Sequence, residues 1–223
     1  MRKDPLVNNH LYHIVSRSIA QYQVFNDDSD YLRLMELIEL FSFKDFDTKY
    51  ALYREMPIDQ RSEFRLNTIN SKRKIVTIIA FCIMPTHIHL LLEQKHDKGI
   101  SKYVARLLNS YTRYFNCKHI RKGPLWEGRF KSIIVDSDEQ LIHLTRYIHL
   151  NPSSAGLVRK PEKWKFSSYH EYLNRKNIAN KITEHRKYIN MTPSKYQQFV
   201  DDRISYQREL SIIKSLLIDN YTG

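Results

Sequence analysis

Cysteine is nearly missing from this chain: Cys82 and Cys117 are the only two in 223 residues. Each sits among apolar neighbours, so they read as packed, reduced thiols of a cytosolic protein, and the paired spacing of a zinc finger is absent. With 5 glycines and 7 prolines the chain has no linker, low-complexity tract or repeat, and it reads as folded throughout. No apolar run approaches the roughly 20 residues needed to span a bilayer. The first residues, MRKDPLVNNH, lack the apolar centre of a signal peptide. The location expected from these absences is the cytoplasm, of bacterial type and associated with the nucleoid. Acid is scarce as well: 24 Asp and Glu stand against 36 Lys and Arg, a net charge of +12. That balance favours a polyanionic partner, nucleic acid before membrane surface, because neutralised phosphates release counterions.

What is present is organised by hydrophobic period. HLYHIVSR (His10–Arg17) is rich in β-branched and aromatic residues and predicts a first strand. NDDSDYLRLMELIELF offers capping residues at Asn26 to Ser29, then Leu34, Ile38 and Phe41 at helical spacing. Residues 45–74 are polar and irregular and predict an insertion with one short helix. KIVTIIAFCIM and HIHLLLE predict strands on either side of Pro85. Ser101 is the predicted cap of a helix carrying Val104, Leu108, Tyr111 and Phe115 on one face. A basic loop leads to a fourth strand, and a helix over 137–151 is stopped by Pro152. The order β-α-β-β-α-β-α predicts an α+β fold, a ferredoxin-like βαββαβ core with an antiparallel four-stranded sheet and one added helix. The strands Val76–Met84 and His87–Glu93 are apolar on both faces, so the added helix is the natural cover for the second one. Residues 1–158 are expected to form the catalytic domain. Residues 159–223 are expected to form a helical extension packed on it, with Trp164 and Phe166 tucked into the core.

Within FCIMPTHIHLLLEQ, His87 and His89 lie two apart on a strand and share a face. Two imidazoles buried unpaired would each cost about 1–3 kcal/mol. A metal ion, or a charged substrate held by one, would satisfy both. On the added helix, His143, Tyr147 and Asn151 recur every four residues and share a face. If that face lies over the histidine pair, a phenol, an amide and a metal pair converge. A held cation polarises a phosphodiester, and a tyrosine oxygen is a nucleophile for phosphorus. Tyr147 alone carries little, since there are 15 tyrosines; its rivals Tyr111 and Tyr114 have the spacing of core residues. The stretch from Lys118 to Lys131 holds Lys118, Arg121, Lys122, Arg129 and Lys131 against one acid, Glu127. Trp126 among them is set either to stack on an unpaired base, worth about 1–3 kcal/mol, or to anchor the core.

The blocks MPTHIHLLLE, NSYTRYFN, GPLWEGRFKS, LTRYIHLNPSSAGLV and WKFSSYHEYL, in this order over residues 8–173, resemble the single-tyrosine HUH transposase family. The likeness is strongest to its REP-associated, chromosomally resident branch. The resemblance implies that His87 and His89 bind a divalent cation, Mg²⁺ or Mn²⁺. It makes Tyr147 the nucleophile that attacks single-stranded DNA, leaving a 5′-phosphotyrosine and a free 3′-hydroxyl. Insertion-sequence relatives carry a glutamine four residues after the tyrosine as a third ligand; this chain has Asn151, one methylene shorter. The implied activity is metal-dependent cleavage and rejoining of hairpin-forming DNA by a monomer or homodimer. The alternative is a domesticated, non-catalytic protein that binds nucleic-acid hairpins.

Overall fold

The computed structural model describes residues 5–175 and 181–206. Four strands, β1 (Leu11–Arg17), β2 (Val76–Met84), β3 (His87–Gln94) and β4 (Lys131–Val135), form one antiparallel sheet in the order β2-β3-β1-β4. This is the ferredoxin-like arrangement that the order of elements predicts. A two-residue turn at Pro85-Thr86 joins β2 to β3. It is clamped by the segment after β1, where Ser18 N–H donates to the Thr86 carbonyl at 2.9 Å and Val24 N–H to the Pro85 carbonyl at 2.9 Å.

Both faces of β2 and β3 are buried, for the reason their sequences suggest. Ile78, Phe81, Ile83, Ile88, Leu90 and Leu92 face a core completed by α1 (Asp28–Leu40) and α4 (Gly99–Lys118). Ile79, Ala80, Cys82, Met84 and Leu91 face a second core beneath α5 (Asp138–Ser154). An irregularity in the pairing between Ile78 and Ala80 inserts one extra residue, so the consecutive Ile79 and Ala80 both face the second core. The added helix therefore covers the second face, as the apolar strands require.

Four local expectations need correction. The 45–74 insertion holds two helices, α2 (Tyr50–Glu55) and α3 (Ile58–Asn70), where one short helix was predicted. Tyr50, Tyr53 and Phe64 pack with Phe46 to bury what the polar composition conceals. Helix α4 begins at Gly99 rather than after Ser101, with Lys98 in the left-handed conformation before it. A Cβ on Gly99 would lie 2.5 Å from the Ile75 carbonyl oxygen. The first turn is capped from afar, by Gln94 Oε1 accepting from the Ile100 N–H at 3.1 Å. Helix α5 runs past Pro152 to Ser154, because a proline in the last turn forfeits only one hydrogen bond.

Beyond residue 158 the described chain is less helical than its composition predicts, with only α6 (Tyr169–Tyr172) and α7 (Pro193–Asp201) between irregular stretches. Irregular backbone suits its task here. Ile83 N–H donates to the Phe166 carbonyl, Ser168 N–H to the Phe81 carbonyl and Glu184 N–H to the Ile78 carbonyl, so this segment closes the open edge of β2. Trp164 and Phe166 tuck back as expected: the indole N–H donates to the Ile83 carbonyl at 3.1 Å, and Phe166 stacks on Tyr31 at 3.9 Å. Residues 207–223 of the expected extension lie outside the described residues.

Candidate active site

Alternation along the sheet assembles the site. His13, Val15 and Arg17 of β1 stand opposite Leu91, His89 and His87 of β3 in the antiparallel register. These residues share the face that α5 covers. The His89 ring is 3% exposed, and its Nδ1 lies 3.0 Å from Nε2 of His13. The other nitrogen, Nε2, is buried and has no hydrogen-bond partner among the described residues. His87 is half-buried, with Nδ1 3.0 Å from the Thr86 hydroxyl, and its ring centroid lies 5.0 Å from that of His89. One nitrogen of each ring is thus held by a neighbour, while Nε2 of each has no hydrogen bond among the described residues.

Helix α5 lays Tyr147 across this group. Its ring centroid is 5.7 Å from His89 and 6.2 Å from His13, edge-on to both, and the residue is 41% exposed. The rival tyrosines are occupied elsewhere: Tyr111 is buried and donates to the Val24 carbonyl at 2.5 Å, and Tyr114 donates to Asp30 Oδ1 at 2.9 Å. Asn151 donates its amide N–H to the Tyr147 carbonyl at 3.0 Å. His143 shares their helix but turns away, with its Nδ1 2.6 Å from Arg146 and its ring against Phe199. The convergence of His143 with the pair is therefore not seen: its contacts run to Arg146 of its own helix and to Phe199 of α7.

Burial sets the electrostatics. It depresses His13 and His87 to about 4, with Arg17 adding to the effect on His87, and pushes His89 well below its usual value. All three are neutral at physiological pH, the form in which an imidazole has a lone pair to give. The Tyr147 phenol is raised by burial, against which the Arg17 charge and the Asn151 side chain pull it down.

The observed surroundings fit a divalent cation. An orphaned, buried Nε2 on His89 close to the His87 ring is a lone-pair donor that no hydrogen bond among the described residues satisfies. Among the described residues no group of three or more His, Cys, Asp or Glu is arranged to hold a metal ion. Remaining ligands would have to come from Asn151, water or substrate oxygen.

The basic loop divides. Lys122, Arg129 and Lys131 are exposed. Lys118 is held 2.7 Å from both Asp27 and Asp30, and Arg121 folds onto its own loop, donating to Asn116 Oδ1 at 2.9 Å and the Pro124 carbonyl at 2.7 Å. Trp126 is a core anchor rather than a stacking platform: it is 7% exposed, packs beside Phe25 and Tyr111, and donates its indole N–H to Thr112 at 3.0 Å. Two residues that the motifs did not single out join the site, His13 and Arg17. Their signal was present in HLYHIVSR, where positions 13, 15 and 17 share a strand face.

Comparison with known proteins bears on this arrangement. The family model described as "Transposase IS200 like" matches residues 48–151, which include His87, His89, Tyr147 and Asn151 but neither His13 nor Arg17. A Haemophilus influenzae protein named for the REP-associated tyrosine transposases is 30% identical over 102 residues, covering 41% of this chain. The chain spans 58% of that relative's length. Among solved structures, a REP-associated tyrosine transposase bound to a REP hairpin aligns at TM-score 0.54 and 17% identity, covering 78% of this chain and 86% of that one. That likeness establishes the fold. Sequence and fold agree on one resemblance, to the IS200-like transposases and, among them, to the REP-associated tyrosine kind.

Proposed function

We propose that the protein cleaves and rejoins single-stranded DNA beside a hairpin, with Tyr147 as nucleophile. One observation carries this reading: a part-exposed phenol lies edge-on to a buried histidine whose Nε2 has no partner among the described residues. The family resemblance, and the REP hairpin bound by the structural relative, support DNA as the substrate.

In this reading Tyr147 Oη attacks a backbone phosphorus. The Tyr147 O–P bond forms as the P–O3′ bond breaks, the phenol proton leaves to solvent, and the departing 3′-oxygen takes up a proton. The products are a 5′-phosphotyrosine and a free 3′-hydroxyl; the reverse attack by a 3′-hydroxyl rejoins the strand. The open Nε2 atoms of His87 and His89 and the Asn151 amide oxygen would hold Mg²⁺ or Mn²⁺, hard ions that prefer oxygen and retain waters. When bound, such an ion supplies Lewis-acid polarisation of a phosphate oxygen. Arg17, opposite His87 on the neighbouring strand, favours the phenolate and adds positive charge where the phosphate must sit. His13 orients His89.

The test is a covalent adduct. Incubating the protein and Mg²⁺ with labelled hairpin DNA carrying a single-stranded flank should yield a protein–DNA species that survives a denaturing gel. Tyr147→Phe keeps the ring and should eliminate it, whereas Tyr111→Phe and Tyr114→Phe should keep it. An adduct that persists in Tyr147→Phe, or none in the unaltered protein alongside tight hairpin binding, overturns the nicking mechanism; the latter favours the non-catalytic alternative.

A further inference from the structure

Two residues after Tyr147, and so about 200° further round α5, His149 points into the second core. It is fully buried, and its ring is boxed by those of Tyr172, Tyr169 and Tyr196, with centroids at 4.7, 5.3 and 5.8 Å. Both ring nitrogens are engaged: Nδ1 lies 2.8 Å from the Tyr196 hydroxyl and Nε2 2.8 Å from the Ser168 hydroxyl. We infer that His149 is a positioning residue for DNA cleavage: through Ser168 and Tyr196 it fixes the rotation of α5 about its axis, and thereby the reach of the Tyr147 hydroxyl. The inference rests on the proposed function for the reaction, though not for the placement of the helix.

Ser168 belongs to the frame of the sheet. Its Oγ accepts from the Phe81 N–H at 2.9 Å, and its own N–H donates to the Phe81 carbonyl at 2.9 Å. Phe81 precedes Cys82, which stands opposite His89 in the antiparallel register. The anchor of the nucleophile helix and the buried histidine therefore share one hydrogen-bonded pair of strands. Tyr196 holds the other side of the ring from α7, which meets α5 again where Arg146 donates to the Phe199 carbonyl at 3.2 Å. A neutral imidazole has one N–H and one lone pair. One assignment satisfies every group: the Tyr196 O–H donates to Nδ1, Nε2–H donates to Ser168 Oγ, and the Ser168 O–H donates to the Phe81 carbonyl at 3.2 Å. The chain of bonds runs unbroken from α7 through α5 to β2.

Small rotations matter here. A helix with its side chains is about 10–12 Å across, so a turn of about 10° about its axis sweeps a side-chain tip by about 1 Å. A misplacement of about 1 Å can slow a reaction about 100-fold. Tyr147 is 41% exposed and edge-on to its histidine neighbours, so little packing of its own holds it. The buried ring two residues on supplies the constraint that the exposed ring lacks. Both partners of His149 lie beyond residue 151, where the matched family model ends. The irregular segment after residue 158 thus closes the edge of β2 and also sets the pose of the nucleophile.

The experiment reads rate, affinity and placement separately in the full chain. Ser168→Ala and Tyr196→Phe each remove one oxygen from the chain of bonds, and Tyr103→Phe is the matched control. Tyr103 is fully buried in the core on the other face of the sheet and donates to the Ile38 carbonyl at 3.0 Å, so its variant loses a comparable hydrogen bond. Single-turnover adduct formation on labelled hairpin DNA with a single-stranded flank, at saturating protein and Mg²⁺, should slow by about 10- to 100-fold in Ser168→Ala and Tyr196→Phe. The half-saturating protein concentration should not move. Tyr103→Phe should lower the melting midpoint by a similar amount and keep the rate. 3-Fluorotyrosine placed at 147 reads the pose without DNA or metal: its ¹⁹F resonance should shift or broaden in Ser168→Ala and Tyr196→Phe and stay in place in Tyr103→Phe. Unchanged rates, a loss confined to affinity, slowing in all three that tracks the melting midpoint, or an unmoved ¹⁹F resonance overturns the assignment. Should one variant fail to fold, the other decides. Failure of adduct formation in the unaltered protein would count against Tyr147 chemistry and leave the fluorine resonance to decide the role of His149.

Discussion

At His89 the two ring nitrogens have different fates: Nδ1 meets His13, while Nε2 is buried without a partner among the described residues. An imidazole that offers a lone pair at Nε2 must carry its proton on Nδ1, so His13 Nε2 accepts that proton's hydrogen bond. Removing such an orienting partner usually costs about 10–100-fold in metal affinity. His13→Ala should therefore weaken Mn²⁺ binding by that order in calorimetric titration, and an unchanged affinity would reduce His13 to packing. Arg17 acts on the other partner. Burial raises the Tyr147 phenol and Arg17 opposes the rise, so removing the charge leaves the pKa higher still. The phenolate then forms only at higher pH. The rising limb of single-turnover cleavage against pH should shift upward in Arg17→Ala and less in Arg17→Lys; a limb that stays in place would separate Arg17 from the phenol.

Among the elements, the irregular segment after residue 158 depends on one buried carboxylate. Glu171 is fully buried and accepts from the Ile182 and Thr183 N–H groups at 3.2 and 2.9 Å and from the Thr183 hydroxyl at 2.8 Å. Stranding two buried backbone donors costs about 1–3 kcal/mol each. Glu171→Ala should lower the urea midpoint strongly, whereas Glu171→Gln, which keeps an accepting oxygen, should lose less. Equal losses would mean that charge, not hydrogen bonding, is the requirement. The helix that carries Tyr147 has a smaller local dependence. Ser137 accepts from the Gln140 N–H at its N-terminus, and Ser137→Ala should cost about 1 kcal/mol in the same melts.

For the whole molecule, buried histidines predict acid sensitivity. His13, His87 and His185 are depressed by burial to about 4, and His149 lies well below its usual value. His149 is fully buried, between the Tyr196 hydroxyl and the Ser168 hydroxyl, each at 2.8 Å. The unfolded chain takes up these protons near 6.5, and the folded chain does so only near 4 or below. The unfolded state thus binds more protons throughout that window, and stability present above 6.5 is lost as pH falls through it. Thermal melts should show the midpoint falling steadily from neutral pH to about pH 5, before most carboxylates titrate. A flat midpoint over that range would contradict the burial.

Strand alternation and helical period are properties of consecutive residues, so β2, β3, the shared face of His87 and His89, and the four-residue spacing of Tyr147 and Asn151 were legible in the chain alone. The identity of the nucleophile among 15 tyrosines was not. Tyr111 and Tyr147 both lie on helices, and only packing hides the first in a core and brings the second to the histidines. His13 and Arg17 were visible as a strand face, but their pairing with β3 follows from register across about 70 residues of intervening chain. The insertion escaped because Tyr50 and Tyr53 mark the face of a helix only six residues long and Phe64 stands alone in a polar stretch, and the three form a cluster with Phe46 only when α2 and α3 fold against each other. Local pattern determined the elements and the candidate donors. The tertiary structure alone decided which of them meet, because burial and the partners of each polar atom depend on residues distant in the chain.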